Sequence, residues 1–232
     1  MINRIIMRLM QISEFIEDKG WKSFIQEVLY FNRKAILVEK NLSEAVNRID
    51  FLRNQNIQFI EITPETFTRD RYTFYSKNRM FKALHYLKNG YCGHAIAKEN
   101  TIIGDMWYFA LKNNVLHSHK CPDIQWLNFE LTEDTVYSFD IYVVPTERGN
   151  NLSAALQSTA MYSLFEKGYT KAYAYYWSDN IPAVWNTRVI NKWNELRPVT
   201  VSRFLWRKKL AMSKLQIKNL SNLLRKGIVD EK

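Results

Sequence analysis

The stretch that most constrains this chain runs from Thr135 to Trp177. TVYSFDIYVV (135–144) is rich in β-branched and aromatic residues and reads as a strand. LSAALQSTAMYSLFEKG (152–168) reads as a helix closed by Gly168, with Leu152, Leu156, Met161 and Leu164 on one broad apolar face. TKAYAYYW (170–177) reads as a second strand. A strand, a helix and a strand in this order make a right-handed crossover with two parallel strands, so the surrounding fold has to be of the α/β type.

The handover from strand to helix, VVPTERGNNLSAAL (143–156), carries a second message. A chain with only seven glycines places one here, beside an arginine and two asparagines. The start of a helix leaves N–H groups without intrahelical acceptors, and those groups with the helix dipole can hold an anion.

Other elements follow from periodicity and punctuation. Residues 1 to about 31 read as one or two helices, with Ile5, Leu9, Ile12 and Ile16 at helical spacing and Gly20 as a break. AILVE (35–39) is a short strand, and residues 41–56 are helical or irregular. IQFIEI (57–62) is a strand ended by Thr63-Pro64. Residues 65–88 carry helical spacing, with Phe67, Tyr75, Phe81, Leu84 and Leu87 inward, closed by Asn89-Gly90. YCGHAIAKEN and TIIGDMWYFAL make a hairpin with its tip near Lys98-Glu99-Asn100, and residues 112–134 are polar without a clear period. SDNIPAVWNTRVINKW is a helix capped by Ser178 or Asp179 with Pro182 in its first turn. A strand over 198–205 precedes a basic helical tail. The expected fold class is α/β, a mixed and mostly antiparallel sheet with helices on both faces. The expected division is a helical extension over 1–56, a core domain over 57–201 and a tail over 202–232.

Composition narrows the class. With 47% hydrophobic and 24% charged residues, 232 residues suffice for a packed core. Two cysteines make no disulfide framework and suit a reducing compartment. No apolar run reaches a membrane span, Arg8 interrupts the N-terminal run, and no small-residue cleavage site follows, so a cytoplasmic location is expected. The net charge of +10 concentrates between Arg203 and Lys226, where no acidic residue occurs. That tail leaves contact with an anionic surface open. The 33 aromatic residues could stack on single-stranded nucleic acid, but most fall on expected strands and helix faces, which disfavours that partner. Cys92, His94, His117, His119 and Cys121 have zinc-ligand chemistry without ligand spacing, so no metal is expected.

The order of elements, with VVPTERGNNLSAAL inside it, resembles the GNAT superfamily of acyl-CoA-dependent N-acyltransferases. That family joins a V-x-P strand to a helix through a Gln/Arg-x-x-Gly-x-Gly/Ala loop. Arg148 fills the first position and Gly149 follows it, while Asn151 and Ser153 stand where the family prefers glycine or alanine. Asn180-Ile-Pro-Ala183 is similar to the family's Asn-x-x-Ala at the start of the next helix, and the hairpin fits upstream. The resemblance spans roughly 57–201. It implies transfer of an acyl group, most often acetyl, from coenzyme A to an amine, here a small-molecule acceptor of unknown identity.

The resemblance also implies the site. The N–H groups of Arg148, Gly149, Asn150, Asn151, Leu152 and Ser153 would face the pyrophosphate, with asparagine the next best residue after glycine for left-handed backbone. Tyr142, Val143 and Val144 would line the pantetheine arm in a splay between the motif strand and the next, and Asn180 would bond the arm or merely cap its helix. Valine at Gly149 and alanine at Arg148 are expected to weaken coenzyme A binding and leave the melting of the free protein nearly unchanged. Asp140 could take the amine proton and Tyr142 could protonate the thiolate, with Tyr175 and Tyr176 as substitutes. The family's usual tyrosine falls near Thr187. Two rivals follow: a degenerate non-catalytic acyl-CoA binder, and a basic module for nucleic acid or an anionic surface.

Overall fold

The structure is a computed structural model that describes residues 12, 16, 20–21, 30–63, 72–113, 121–204 and 207–212. Among the described residues, nine strands form one sheet: β1 (Tyr30–Asn41), β2 (Ile57–Ile62), β3 (Thr73–Phe74), β4 (Cys92–Lys98), β5 (Thr101–Ala110), β6 (Thr135–Val143), β7 (Lys171–Trp177), β8 (Asn194–Phe204) and β9 (Arg207–Met212). Their order is β2-β4-β5-β6-β7-β1-β8-β9, with β3 added beside β5. Among the described residues, β3–β5 and β6–β7 are the parallel pairs and the others are antiparallel. The expected mixed, mostly antiparallel sheet is therefore present.

Alternation along each strand sends side chains to two faces, and each face has its own core. Val38, Met106, Tyr108 and Val136 join the core beneath the helix α4 (Leu152–Glu166). Leu37, Trp107, Phe109 and Tyr137 join the opposite core, which also takes Ala83 from α2 (Lys77–Lys88) and Leu127 from α3 (Pro122–Leu127). The helix α4 is buried on nearly all sides through its first turns, more than the single apolar face expected from its sequence. Its polar residues find partners in the preceding segment. Ser158 donates to the Val46 carbonyl at 2.6 Å, and Thr159 accepts from the Arg48 N–H at 3.3 Å.

Several expectations need correction. Tyr30 and Phe31 belong to a long β1 and not to a helix, because β1 pairs with β7 on one side and β8 on the other. The sheet thus extends on both sides of the expected 57–201 span. Residues 42–44 form a 3-10 turn and 49–53 the short helix α1 (Ile49–Arg53), which settles that ambiguous segment. Between Lys77 and Lys88 the helix is rotated from its expected setting. Tyr75, just before it, Phe81 and Leu84 are exposed, whereas Arg79 and Ala83 are buried. Pairing of Arg79 with buried carboxylates outweighs apolar periodicity here. The tail begins as strand β9, because Arg207 to Met212 pair with Val199–Phe204. The expected N-terminal helices, apart from four isolated positions, and the tail after 212 lie outside the described residues, as do Phe67, His117 and His119.

Candidate functional site

Strands β6 and β7 pair only at Thr135–Lys171, Val136–Ala172 and Tyr137–Tyr173. Beyond that point β6 continues to Val143 and β7 to Trp177 without facing pairs, so the two strands splay. The reason is visible in β6. It pairs with β5 through Trp107–Phe139 and then Asp105–Tyr142, so Asp140 and Ile141 together oppose Met106. This is a β-bulge, with Asp140 in left-handed backbone at φ 49°. A bulge bends its strand and sharpens the twist.

The splay opens a cleft of ≈ 1500 Å³. Of the expected site residues, Asp140, Tyr142, Val143, Arg148, Gly149, Asn151, Leu152, Ser153 and Asn180 line it. Val144 does not: its side chain is buried in the core and its N–H donates to the Ile103 carbonyl at 2.9 Å. By strand alternation Val143 then turns its N–H and C=O toward the cleft. Asn150 is exposed and does not line it.

At the outer end of the cleft, residues 145–147 form a 3-10 turn and α4 begins at Leu152. Gly149 sits at φ 92° and Asn151 at φ 57°, so the asparagine occupies left-handed backbone as expected. Asn151 gives α4 no side-chain cap, and the first backbone donor of the helix with an acceptor is Ala155, to the Asn151 carbonyl at 3.0 Å. Among the described residues, the N–H groups from Gly149 to Ala154 find no acceptor, which leaves them available to an anion. A Cβ built on Gly149 meets nothing within 4 Å, so the approach is open. Arg148 donates from Nε to the Val143 carbonyl at 2.9 Å, with its guanidinium 5.6 Å from the Tyr142 ring centre. Both observations amend the expected variants. Valine at Gly149 adds backbone strain and alanine at Arg148 removes a bond, so each costs the free protein stability.

The inner end carries a charge cluster. Asp140 accepts from Arg79 Nη1 at 3.2 Å, Lys82 Nζ at 2.9 Å and the Tyr86 hydroxyl at 2.9 Å. Burial favours the protonated acid, but the Arg79 and Lys82 charges and these bonds override it and hold Asp140 at about 2. Such a carboxylate is ionised at neutral pH and is a feeble proton acceptor. Arg79 also forks onto Asp105, with Nε at 3.2 Å from Oδ1 and Nη2 on Oδ2, and Asp105 accepts from Trp107 Nε1 at 2.7 Å. Burial alone would lower the Arg79 pKa, but Asp140 and Asp105 raise it above its ordinary value.

The tyrosines divide by surroundings. The Tyr142 ring lies 4.6 Å from the Arg79 guanidinium and 5.6 Å from that of Arg148. The Tyr176 hydroxyl donates to Glu195, and burial together with that bond raises its pKa. Tyr175 lines the cleft, edge-on to Trp126 and Trp177, and burial raises its phenol too. Asn180, and neither Ser178 nor Asp179, caps the next helix: its Oδ1 accepts from the Ala183 N–H at 3.3 Å. That helix, α5 (Ile181–Val184), passes into a π-helical turn over Trp185–Ile190, which turns Asn186 and Thr187 inward. Asn186 donates to Ser153 Oγ at 3.0 Å, and Asn191 to Gln157 Oε1 at 2.8 Å.

Sequence reasoning missed Arg79, Lys82, Tyr86, Asp105 and Asn186. One signal was available: Asp105 stands alone in the apolar run TIIGDMWYFA, and a buried acid demands a cation. Of the metal-ligand candidates, His94 is fully buried between Phe59 and Tyr108, with ring centres at 5.4 and 5.3 Å. Cys121 is buried at the start of α3. Among the described residues no group of three metal-ligating side chains forms, and no helix is long and apolar enough to cross a membrane.

These features define a class: α/β proteins whose sheet is opened between two parallel strands beside an uncapped helix. No protein-family model matches the chain, and no curated protein matches it. Solved structures do. The GCN5-related glucosamine N-acetyltransferase region of a fungal multi-domain GH3 β-N-acetylglucosaminidase is similar at 15% identity with a TM-score of 0.53, over 81% of this chain and 23% of that one. A putative GNAT-family acetyltransferase from Novosphingobium aromaticivorans is similar at 10% identity with a TM-score of 0.47, over 79% of this chain and 66% of that one. The chain thus spans under a quarter of the fungal protein. The fold is that of the GNAT superfamily of N-acetyltransferases.

Proposed function

We propose that the protein transfers an acyl group, acetyl in the simplest case, from coenzyme A to the amine of a small molecule. The observation that carries this reading is the splayed β6–β7 cleft with unpaired N–H groups at its outer end. Gly149, Asn151, Leu152 and Ser153 would hold the pyrophosphate through backbone donors, Arg148 would add charge, and the Val143 backbone would pair with the amide-bearing arm. Acyl-coenzyme A supplies a thioester whose carbonyl carbon gains a bond to the amine nitrogen as its bond to sulfur breaks, and the ammonium proton must leave before attack. Asp140, held by three donors, suits shaping of the cleft better than taking that proton. That proton passes to solvent through the open cleft, and coenzyme A leaves as a thiolate that takes up a proton in turn.

A second reading, a non-catalytic acyl-CoA binder, has its own support. The cleft carboxylates Asp140, Glu147 and Asp179 are all paired, with Arg79 and Lys82, Lys98 and Arg33 respectively. Thr187, buried, stands where a tyrosine would serve as acid. Titration with coenzyme A, followed by release of free thiol from acetyl-CoA in the presence of an amine panel, separates the readings. Binding with amine-dependent thiol release supports the enzyme, binding without it supports the binder, and no binding overturns both.

A further inference from the structure

The bulge at Asp140 is expensive, and the way it is held identifies a residue with a job. A non-glycine residue in left-handed backbone is disfavoured. Yet β6 keeps Asp140 there, three residues beyond Tyr137, the last residue it pairs with β7, and then resumes register with β5. Lys82 and the Tyr86 hydroxyl bond Asp140 of β6, and the Tyr86 ring packs on Trp107 of β5 and Phe139 of β6. Among the described residues, Arg79 is the side chain that forms ion pairs with carboxylates of both strands. One edge of its guanidinium forks onto Asp105 of β5, Nη1 reaches Asp140 of β6, and the plane lies over Tyr142, the residue paired with Asp105. The group is fixed in turn: Arg79 is 6% exposed and Asp105 1% exposed, and Asp105 also accepts from Trp107.

We propose that Arg79 is a positioning residue of the cleft, clamping the Asp140 bulge against β5 so that the outer half of β6 stays turned away from β7. It touches neither acyl group nor acceptor in this account and acts through the backbone of Asp140 to Val143. A lysine cannot reproduce the clamp, because a single ammonium lacks the planar fork that engages two carboxylates. The inference rests on the acyl-CoA reading for its functional consequence, but its structural content can be measured without ligand.

Three variants test it. Arg79→Lys keeps the charge and loses the fork. Arg79→Met with Asp105→Asn removes both charges, so no ion is left buried alone. Arg79→Lys with Asp140→Gly supplies a residue that adopts positive φ freely and needs no clamp. Amide hydrogen exchange of Asp140–Val143 is measured against β8 as an internal reference, and coenzyme A affinity by calorimetry. The expected result is faster exchange confined to Asp140–Val143 in the first two variants. With it comes an affinity loss of about tenfold, as follows when the competent conformation falls to about a tenth of the population. Partial return of affinity is expected with Asp140→Gly. Unchanged exchange in Arg79→Lys overturns the proposal, as does parent-level affinity in a variant whose bulge has loosened. Should the double charge removal prevent folding, Arg79→Lys and its glycine rescue decide alone. If the parent binds no coenzyme A, the functional reading falls while the exchange data still judge the clamp.

Discussion

Gly149→Ala and Gly168→Ala form a matched pair at the two ends of α4. Both glycines have positive φ, 92° and 83°, and a Cβ at either meets nothing within 4 Å. The backbone penalty is therefore the same and sterics add nothing. Left-handed backbone costs an L-residue roughly 1 to 2 kcal/mol, and the stiffer unfolded chain of the alanine variant offsets about 0.4 to 1 kcal/mol of that, so a net loss of about 1 kcal/mol is expected for each. For a chain of this size that lowers the melting temperature by roughly 2 to 4 °C. The two differ only in what lies nearby: Gly149 lines the cleft and Gly168 does not. If an anion is held by the N–H groups from Gly149 onward, the alanine methyl occupies the approach, and affinity should fall by about tenfold or more, a loss of about 1.4 kcal/mol. Melting by calorimetry and titration with coenzyme A read the two effects apart. Equal destabilisation with coenzyme A affinity lost only in Gly149→Ala is the expected outcome. Equal affinity in both variants refutes the phosphate-loop argument, and an unchanged melting temperature refutes the backbone argument.

Three further outcomes follow from the geometry. Arg148→Ala should weaken coenzyme A binding by about 1 to 3 kcal/mol and destabilise the free protein by about 1 kcal/mol through the bond to Val143, whereas Arg148→Lys should keep more of the affinity than of the stability; titration and melting check both. His94 is buried, its ring nitrogens find no hydrogen-bond partner among the described residues, and burial, aided by the Lys167 charge, lowers its pKa to about 3. The unfolded chain therefore takes up a proton first, and stability falls as the pH drops from about 6.5 toward 3 at up to about 1.4 kcal/mol per pH unit; His94→Phe should be about 2 kcal/mol less sensitive between pH 7 and 5 in urea unfolding. Asp140 titrates below its unfolded value, so its contribution is present above about pH 4 and lost as the pH falls toward 2. Asp140→Asn should cost about 1 to 2 kcal/mol at pH 7, tempered by solvent reaching a side chain that is 22% exposed, and the difference should vanish near pH 2.

The crossover was legible because its signals are local. Alternation in TVYSFDIYVV and KAYAYYW and the glycine after α4 each act within a few residues. The left-handed Asn151 was legible for the same reason, since asparagine tolerates that backbone. The clamp was not. Arg79 lies on a helix whose apolar spacing points Phe81 and Leu84 inward, and only the distant Asp105 and Asp140 rotate it. The strand at Tyr30 was hidden likewise, because its partners in β7 and β8 lie far along the chain. The bulge depends on a register with β5, and a two-against-one count of residues has no signature in one strand read alone.

The place of β1 in the sheet bears on how the chain reaches its native state. Ala35 pairs with Trp177 on one side and Val199 on the other, so a strand made early waits for neighbours made late. Such pairings give a high contact order, and closing them is slow. During synthesis the apolar segment Ala35–Val38, fully buried or half-buried in the finished sheet, has both edges unsatisfied until β7 and β8 leave the ribosome. Truncated products ending before Lys171 should therefore aggregate where the full chain stays in solution, which light scattering of the two would show.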